Sequence, residues 1–179
     1  MELDLKPEDL KILFSEEQIQ TRIKELAQAM NKFYNGEEVI AICVLKGAVM
    51  FAVDLVKHLD MPLQMEFIRL SSYGSGFSTS GKVNAVDIKL PDLNGKNVLI
   101  VEDIVDTGLT AKFLMDFMHC NFNAKSIKFC SLLDKKITRK VDIEPDYYGF
   151  EVDNKFVVGY GLDYEGYYRN LRYIGYKEM

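Results

Sequence analysis

The chain has 179 residues, 48% of them hydrophobic, 27% charged and 12% aromatic, with 12 Gly and 4 Pro. These proportions exclude a disordered or collagen-like polymer, and the length suits one domain, which can bury roughly 70% of the surface of its unfolded chain. With 27 acids against 22 bases the net charge is -5, which argues against nucleic acid or an anionic membrane as a partner and makes the capture of any anionic substrate depend on local donors.

At the amino terminus, MELDLKPEDL has neither a basic start nor an apolar core, so no secretion signal is expected there. Ser15 followed by Gln18 forms a capping-box pattern, and Ile19, Ile23, Leu26, Met30 and Phe33 recur at helical spacing, which predicts an amphipathic helix. Val39 to Leu45 is a β-branched apolar run that reads as a buried strand. No membrane span is expected, because that run is far shorter than the roughly 20 residues a spanning helix needs. After Lys46-Gly47, the spacing of Val49, Val53 and Val56 predicts a helix, and Met65 to Leu70 a second strand. Ser71 to Gly81, SSYGSGFSTSG, is too polar and glycine-rich to pack; it is expected to be a long mobile connection or a hairpin tip, and such loops in compact domains are often functional. Asn94-Gly95 then marks a turn, Asn97 to Glu102 a strand, Phe113, Phe117 and Cys120 a helix face, and Ser126 to Leu133 another strand.

Strands apolar on both faces that alternate with helices imply an α/β fold: a mostly parallel central sheet flanked by helices. Ligands of such sheets gather at the carboxyl ends of the strands. Cys43, Cys120 and Cys130 lie in no CxxC and are read as reduced, mostly buried thiols of a cytoplasmic protein; His58 and His119 lack the paired spacing of a metal set. Six of the ten tyrosines crowd between Tyr160 and Tyr176, a density that suits packing or a subunit contact.

Chemistry concentrates in VLIVEDIVDTGLT, Val98 to Thr110. The segment begins as a buried strand, so Glu102, Asp103 and Asp106 are expected at the carboxyl edge of the sheet. Like charges buried together require a cation or a ligand rich in hydroxyl donors. Thr107, Gly108, Leu109 and Thr110 follow at once and offer hydroxyls, a close backbone approach and the amides of a helix start, which together can hold a phosphate. Acids for ribose hydroxyls beside a phosphate cradle describe a ribose 5-phosphate site. Neither a Walker GxxxxGK[ST] nor a GxGxxG between strand and helix is present.

In order and spacing this segment resembles the signature of the type I phosphoribosyltransferases. Leu45-Lys46-Gly47, Ser71-Ser72-Tyr73-Gly74, Leu132 to Lys136, and Lys155 to Tyr164 ahead of Arg169 extend the likeness, in register from about Val39 to Arg172, to the hypoxanthine-guanine branch of that family. The resemblance implies one phosphoribosyltransferase domain over 1–179, with a small hood from the amino- and carboxyl-terminal segments and a mobile loop at about 71–84 that carries Ser72 and Tyr73 as a lid. It implies Mg2+ as cofactor, held by Glu102, Asp103 and Asp163, and phosphoribosyl pyrophosphate and a 6-oxopurine base as substrates, in a homodimer or homotetramer.

By the same resemblance, Asp106 is the catalytic base, Lys135 donates to the oxygen on carbon 6 of the purine, Phe156 stacks on the ring and the Val157 backbone meets its edge. Lys46-Gly47 and Arg169 bind pyrophosphate, with a non-proline cis peptide expected between Leu45 and Lys46. On its own residues, Phe156 in KFVVGY reads as core, and Asp163 with Arg169 as a surface ion pair. Asp134 stands where some members of the family carry an apolar residue. Two alternatives remain open on sequence: a non-catalytic regulator on the same scaffold, which would want a basic surface, and a phosphoribosyltransferase for another base.

Overall fold

The computed structural model describes residues 5–72, 83–87 and 89–177, with the backbone alone for 71–72 and 83–87. Its strands are β1 (Lys11–Phe14), β2 (Val39–Leu45), β3 (Leu63–Ser72), β4 (Val83–Asp87), β5 (Asn97–Val105), β6 (Ser126–Asp134), β7 (Tyr147–Glu151), β8 (Val157–Val158) and β9 (Ile174–Tyr176). The helices are α1 (Glu16–Tyr34), α2 (Val49–Val56) and α3 (Leu109–Asn121).

The main sheet runs β4-β3-β2-β5-β6-β7. All neighbouring pairs from β3 to β7 are parallel, and β4 is antiparallel at the edge. Two-sided burial explains why β2 and β5 read as continuous apolar runs. Val39 and Cys43 of β2, with Leu99 and Val101 of β5, face a cluster built with α1 and α2. Ile40, Ile42, Val98 and Ile100 face the opposite cluster, with Ala111, Leu114 and Met118 of α3. A second, antiparallel sheet, β1-β9-β8, joins the amino-terminal strand to the carboxyl-terminal ones and forms the small hood.

Strand order places the site. After β3 the chain crosses back to the other side of β2 to lay down β5, so β2 and β5 are adjacent strands whose crossovers leave in opposite directions. At such a switch point the carboxyl ends open into a crevice. Leu45-Lys46-Gly47 and Glu102-Asp103 arrive there side by side, since β2 and β5 pair in register up to Cys43 and Val101.

Local signals account for most element limits. The Ser15 hydroxyl accepts from the Gln18 N–H at 3.3 Å, and Gln18 Oε1 accepts from the Ser15 N–H at 2.9 Å, which closes the capping box. Asn35, at φ 48, ends α1 in the left-handed conformation. The segment 73–82, with Tyr73 and most of the expected lid, lies outside the described residues; it connects β3 to its antiparallel partner β4, and since Ser71 pairs with Asn84 and Ser72 with Val83, both ends of the loop expected at 71–84 belong to strands instead.

Three helix faces differ from expectation. On α2 the buried residues are Phe51, Ala52 and Leu55, while Val53 is exposed. VMFAVDLV is apolar almost all round, so valine spacing does not mark the core, and the larger Phe51 and Leu55 occupy it. On α3, Ala111, Leu114 and Met118 are buried instead of Phe113, Phe117 and Cys120; the two phenylalanines stack on each other at 6.4 Å, half-buried, and Cys120 is exposed. On α1, Tyr34 is buried and Phe33 lies outside, beneath the Lys128 ammonium at 5.1 Å.

Replacing Ser15 with Ala removes the cap acceptor and is expected to lower stability by about 1 kcal/mol in urea unfolding, without altering the site. An unchanged midpoint would show that packing alone sets the start of α1.

Candidate functional site

β5 carries Glu102 and Asp103 within its last turn of pleat, and Asp106 follows directly after its end at Val105. The chain reverses through Thr107 and Gly108, and α3 starts at Leu109. Gly108 has φ 81, in the left-handed region, and a Cβ there would come within 2.6 Å of Ile143 and 2.7 Å of Arg139. Only glycine fits this turn. Residues 102–108 with Thr110 and Ala111 enclose a cavity of about 250 Å3. The first-turn amides of α3 and the hydroxyls of Thr107 and Thr110 adjoin it, and the Leu109 N–H also reaches Thr107 Oγ1 at 3.5 Å. Orphan N–H groups and the positive end of a 13-residue helix favour an anion there.

The acids beside this cradle have unusual electrostatics. Burial, and then the neighbouring Asp103 charge, hold the Glu102 carboxyl well above the usual range. Its Oε2 is buried without a hydrogen-bond partner. Asp103 is pushed up to about 6, chiefly by burial, against the opposing pull of backbone N–H bonds and Arg169. The Ile104 N–H donates to Asp103 Oδ1 at 2.8 Å. Gly47 lies so close that a Cβ on it would fall 1.5 Å from Asp103 Oδ2.

A second cavity, of about 180 Å3, has walls from Ile104, Asp106, Lys135, Phe156, Val157 and Asp163, with Lys155 and Leu162 completing it. Asp106 borders both cavities. Lys135 follows β6, is buried, and sets its ammonium 3.8 Å from Asp106 Oδ2. Phe156 is 54% exposed and meets Tyr164 edge-on, with ring centres 6.1 Å apart. It belongs to the rim of this cavity, against its core-like sequence pattern. Val157, next to it, is buried in β8.

The two cavities share Ile104 and Asp106, and the loop after β2 packs against Asp103 and Gly161 beside them. Leu45-Lys46 is a cis peptide, as expected. Gly161, at φ 102, packs so that a Cβ would come 2.0 Å from the Gly47 carbonyl oxygen. Arg169 donates to the Gly161 carbonyl at 2.6 Å and pairs with Asp163 Oδ1 at 2.6 Å, while the Gly166 N–H donates to Asp163 Oδ2 at 2.7 Å.

Leu45, Lys46, Gly47, Glu102, Asp103, Asp106, the 107–110 turn, Lys135, Phe156, Val157, Asp163 and Arg169 thus occupy one end of the main sheet. Ser72 closes β3, with its backbone alone described. The metal set is less complete than expected: among the described residues no three His, Cys, Asp or Glu side chains gather as a cation cage. Asp163 is already paired with Arg169. Glu102 and Asp103 still suit a hard dication, since one buried oxygen lacks any partner and magnesium is commonly held by one or two carboxylates with substrate phosphates supplying the rest.

Sequence reasoning missed Thr138 and Arg139. Both act on the 105–107 turn from the short 3-10 segment Lys136–Thr138 and its end. Asp134 stood out in the sequence, and its complete burial against Arg139 explains why an acid is tolerated there.

Residues 10–165 match the phosphoribosyl transferase domain family. The chain belongs to this family. A hypoxanthine-guanine phosphoribosyltransferase of Streptococcus thermophilus is 45% identical over 98% of this chain and 94% of its own length. One from Bacillus subtilis is 48% identical over 92% of this chain and 91% of its own. Among solved structures, a hypoxanthine phosphoribosyltransferase from Staphylococcus aureus superposes with a TM-score of 0.90 at 40% identity, covering 96% of this chain and 93% of that one. The sheet, its switch point and the acid-rich strand end followed by a turn into a helix are therefore those of a phosphoribosyltransferase.

Because Asp103 holds its proton more tightly when folded than when unfolded, the stability linked to that proton is complete below its unfolded value of about 4 and is lost as pH rises through about 6. Asp103→Asn lacks this dependence. Its melting temperature relative to the parent is expected to be more favourable at pH 8 than at pH 5; a constant difference would contradict the raised carboxyl.

Proposed function

We propose that the protein serves purine salvage by transferring the 5-phosphoribosyl group of phosphoribosyl pyrophosphate to nitrogen 9 of hypoxanthine and/or guanine, giving IMP or GMP and pyrophosphate. The observation that carries this reading is the placement of Asp106 at the join of the two cavities, an acid-lined one beside a helix start and an aromatic-rimmed one whose Lys135 ammonium lies 3.8 Å from it. The names of the relatives favour this reading over a non-catalytic regulator.

In this reading the 107–110 turn holds the 5-phosphate and so fixes the sugar, turning a bimolecular encounter into an oriented one. Glu102 and Asp103 engage the ribose hydroxyls. Departure of pyrophosphate leaves positive charge on the sugar ring, and the carboxylates nearby oppose that charge. Asp106 accepts the proton from nitrogen 7 of the base. Lys135, buried and with donors only, points its ammonium at the oxygen on carbon 6. An amino group in that place would leave Lys135 without an acceptor, so adenine is rejected. Phe156 covers one face of the purine, and the Val157 backbone meets its edge.

Lys46, Gly47 and Arg169 receive the pyrophosphate. Glu102 and Asp103, with Asp163 on the pyrophosphate side, would hold Mg2+, which offsets charge on the leaving group when bound. Ser72 and Tyr73, at the start of the 71–84 segment, are assigned to a lid that limits hydrolysis. The whole chain works as one domain, in the cytoplasm, as a homodimer or homotetramer.

Incubation with phosphoribosyl pyrophosphate, Mg2+ and a panel of hypoxanthine, guanine, xanthine, adenine and uracil, with pyrophosphate as readout, tests this directly. Release is expected with hypoxanthine or guanine and not with adenine or uracil; release with adenine alone, or with no base, would overturn it. Asp106→Asn should lower kcat by roughly 10²–10⁴-fold with a small change in KM for phosphoribosyl pyrophosphate. Unchanged turnover would remove Asp106 as the base. Lys135→Gln should raise KM for 6-oxopurines while leaving the phosphoribosyl pyrophosphate KM nearly unaltered, and equal losses for both substrates would defeat its assigned role.

A further inference from the structure

We infer that Thr138 and Arg139 are positioning residues that brace the Asp106 carboxylate, an inference that rests on the proposed transferase reading. Asp106 sits on a turn, past the last residue of β5, with its side chain 48% exposed. A carboxylate in that position has no ladder to fix it, yet proton transfer tolerates little error in placement, and a misplacement of about 1 Å can cost about 10²-fold in rate.

The segment after β6 supplies the missing constraint. The Lys135 N–H donates to the Val105 carbonyl at 2.9 Å, and the Lys140 N–H to the Thr107 carbonyl at 2.9 Å, so the two backbones run together on either side of Asp106. Between them, the Arg139 guanidinium donates to the Asp106 carbonyl at 3.2 Å and to the Val105 carbonyl at 3.4 Å. The Thr138 hydroxyl lies against Asp106 Oδ1 and also 3.0 Å from the Lys135 carbonyl. Having one proton, it donates to the carboxylate, the stronger acceptor.

Arg139 can act as a fixed fork because its own position is determined. It pairs with Asp134, whose side chain is fully buried, and donates to the Ile143 carbonyl. A buried carboxylate deprived of its cation is costly, which keeps the guanidinium in place. Gly108 closes the other side, since a Cβ there would strike Arg139 Cδ at 2.7 Å. A lysine would keep a charge opposite Asp134 but could not bridge the carbonyls. Thr138 therefore touches Asp106 directly, and Arg139 sets the backbone that carries it.

A double-mutant cycle separates positioning from general support. Thr138→Val keeps the shape and removes the donor; it is expected to lower kcat about tenfold, with KM for phosphoribosyl pyrophosphate within about twofold and an unchanged melting temperature. Thr138→Ser restores the hydroxyl and is expected to recover most of the rate. In an Asp106→Asn background, whose residual rate is read over long incubations, Thr138→Val should cost nothing further. A full tenfold loss in that background, a serine variant as slow as the valine one, or a valine variant with parental kcat would each overturn the inference. Arg139→Lys is expected to lower kcat as well, with Asp134 still paired; should that variant fail to fold, the Thr138 cycle still decides. A parent protein that releases no pyrophosphate with any base would instead sink the transferase reading.

Discussion

The structure depends on carboxylates placed where water is scarce. Glu102 and Asp103 lie near the end of a strand that is buried on both faces, and burial pushes both carboxyls upward, with the Asp103 charge adding to the effect on Glu102. Folding alone gains nothing from such a pair; replacing it with amides would cost the core little. What makes the arrangement intelligible is its neighbour, the helix start at Leu109 behind a left-handed glycine. Electropositive amides and electronegative acids, a few residues apart on one continuous piece of chain, are complementary to a molecule that is anionic at one end and hydroxyl-rich in the middle.

The rest of the fold serves to keep that contrast rigid. The topological switch brings the loop after β2 against Asp103, tightly enough that only glycine fits at position 47. The hood reaches over from the carboxyl-terminal part of the chain, with Gly161 resting on the Gly47 carbonyl and Tyr160 donating to Asp54 of α2 at 2.6 Å. Side chains from distant parts of the sequence meet because backbones without Cβ atoms can approach one another. The second cavity is thereby built on the 157–163 segment, which contributes Val157, Leu162 and Asp163 to its wall.

Much of this was legible in the sequence, for identifiable reasons. Val39–Leu45 was bounded correctly because a two-sided buried strand is a plain apolar run closed by Lys46-Gly47, and the acid-rich end of β5 was legible because charges directly after such a run can lie only at the sheet edge. The helix faces of α2 and α3 were not, since an apolar residue at helical spacing says nothing about which of several competing stripes the sheet will select. Phe156 shows the converse: its pattern is that of a core residue, and only tertiary placement puts it on a cavity rim. Thr138 and Arg139 left no local signal at all. Their bonds to the 105–106 turn span more than 30 positions, and nothing in KKITRK by itself distinguishes a solvated basic turn from a brace.

A diffraction structure of the protein crystallised with inosine monophosphate tests the central claim most directly. The account predicts the phosphate on the amides and hydroxyls of residues 107–110, the ribose hydroxyls on Glu102 and Asp103, and the base between Lys135 and Phe156. A phosphate bound elsewhere, with Glu102 and Asp103 untouched by the sugar, would contradict it.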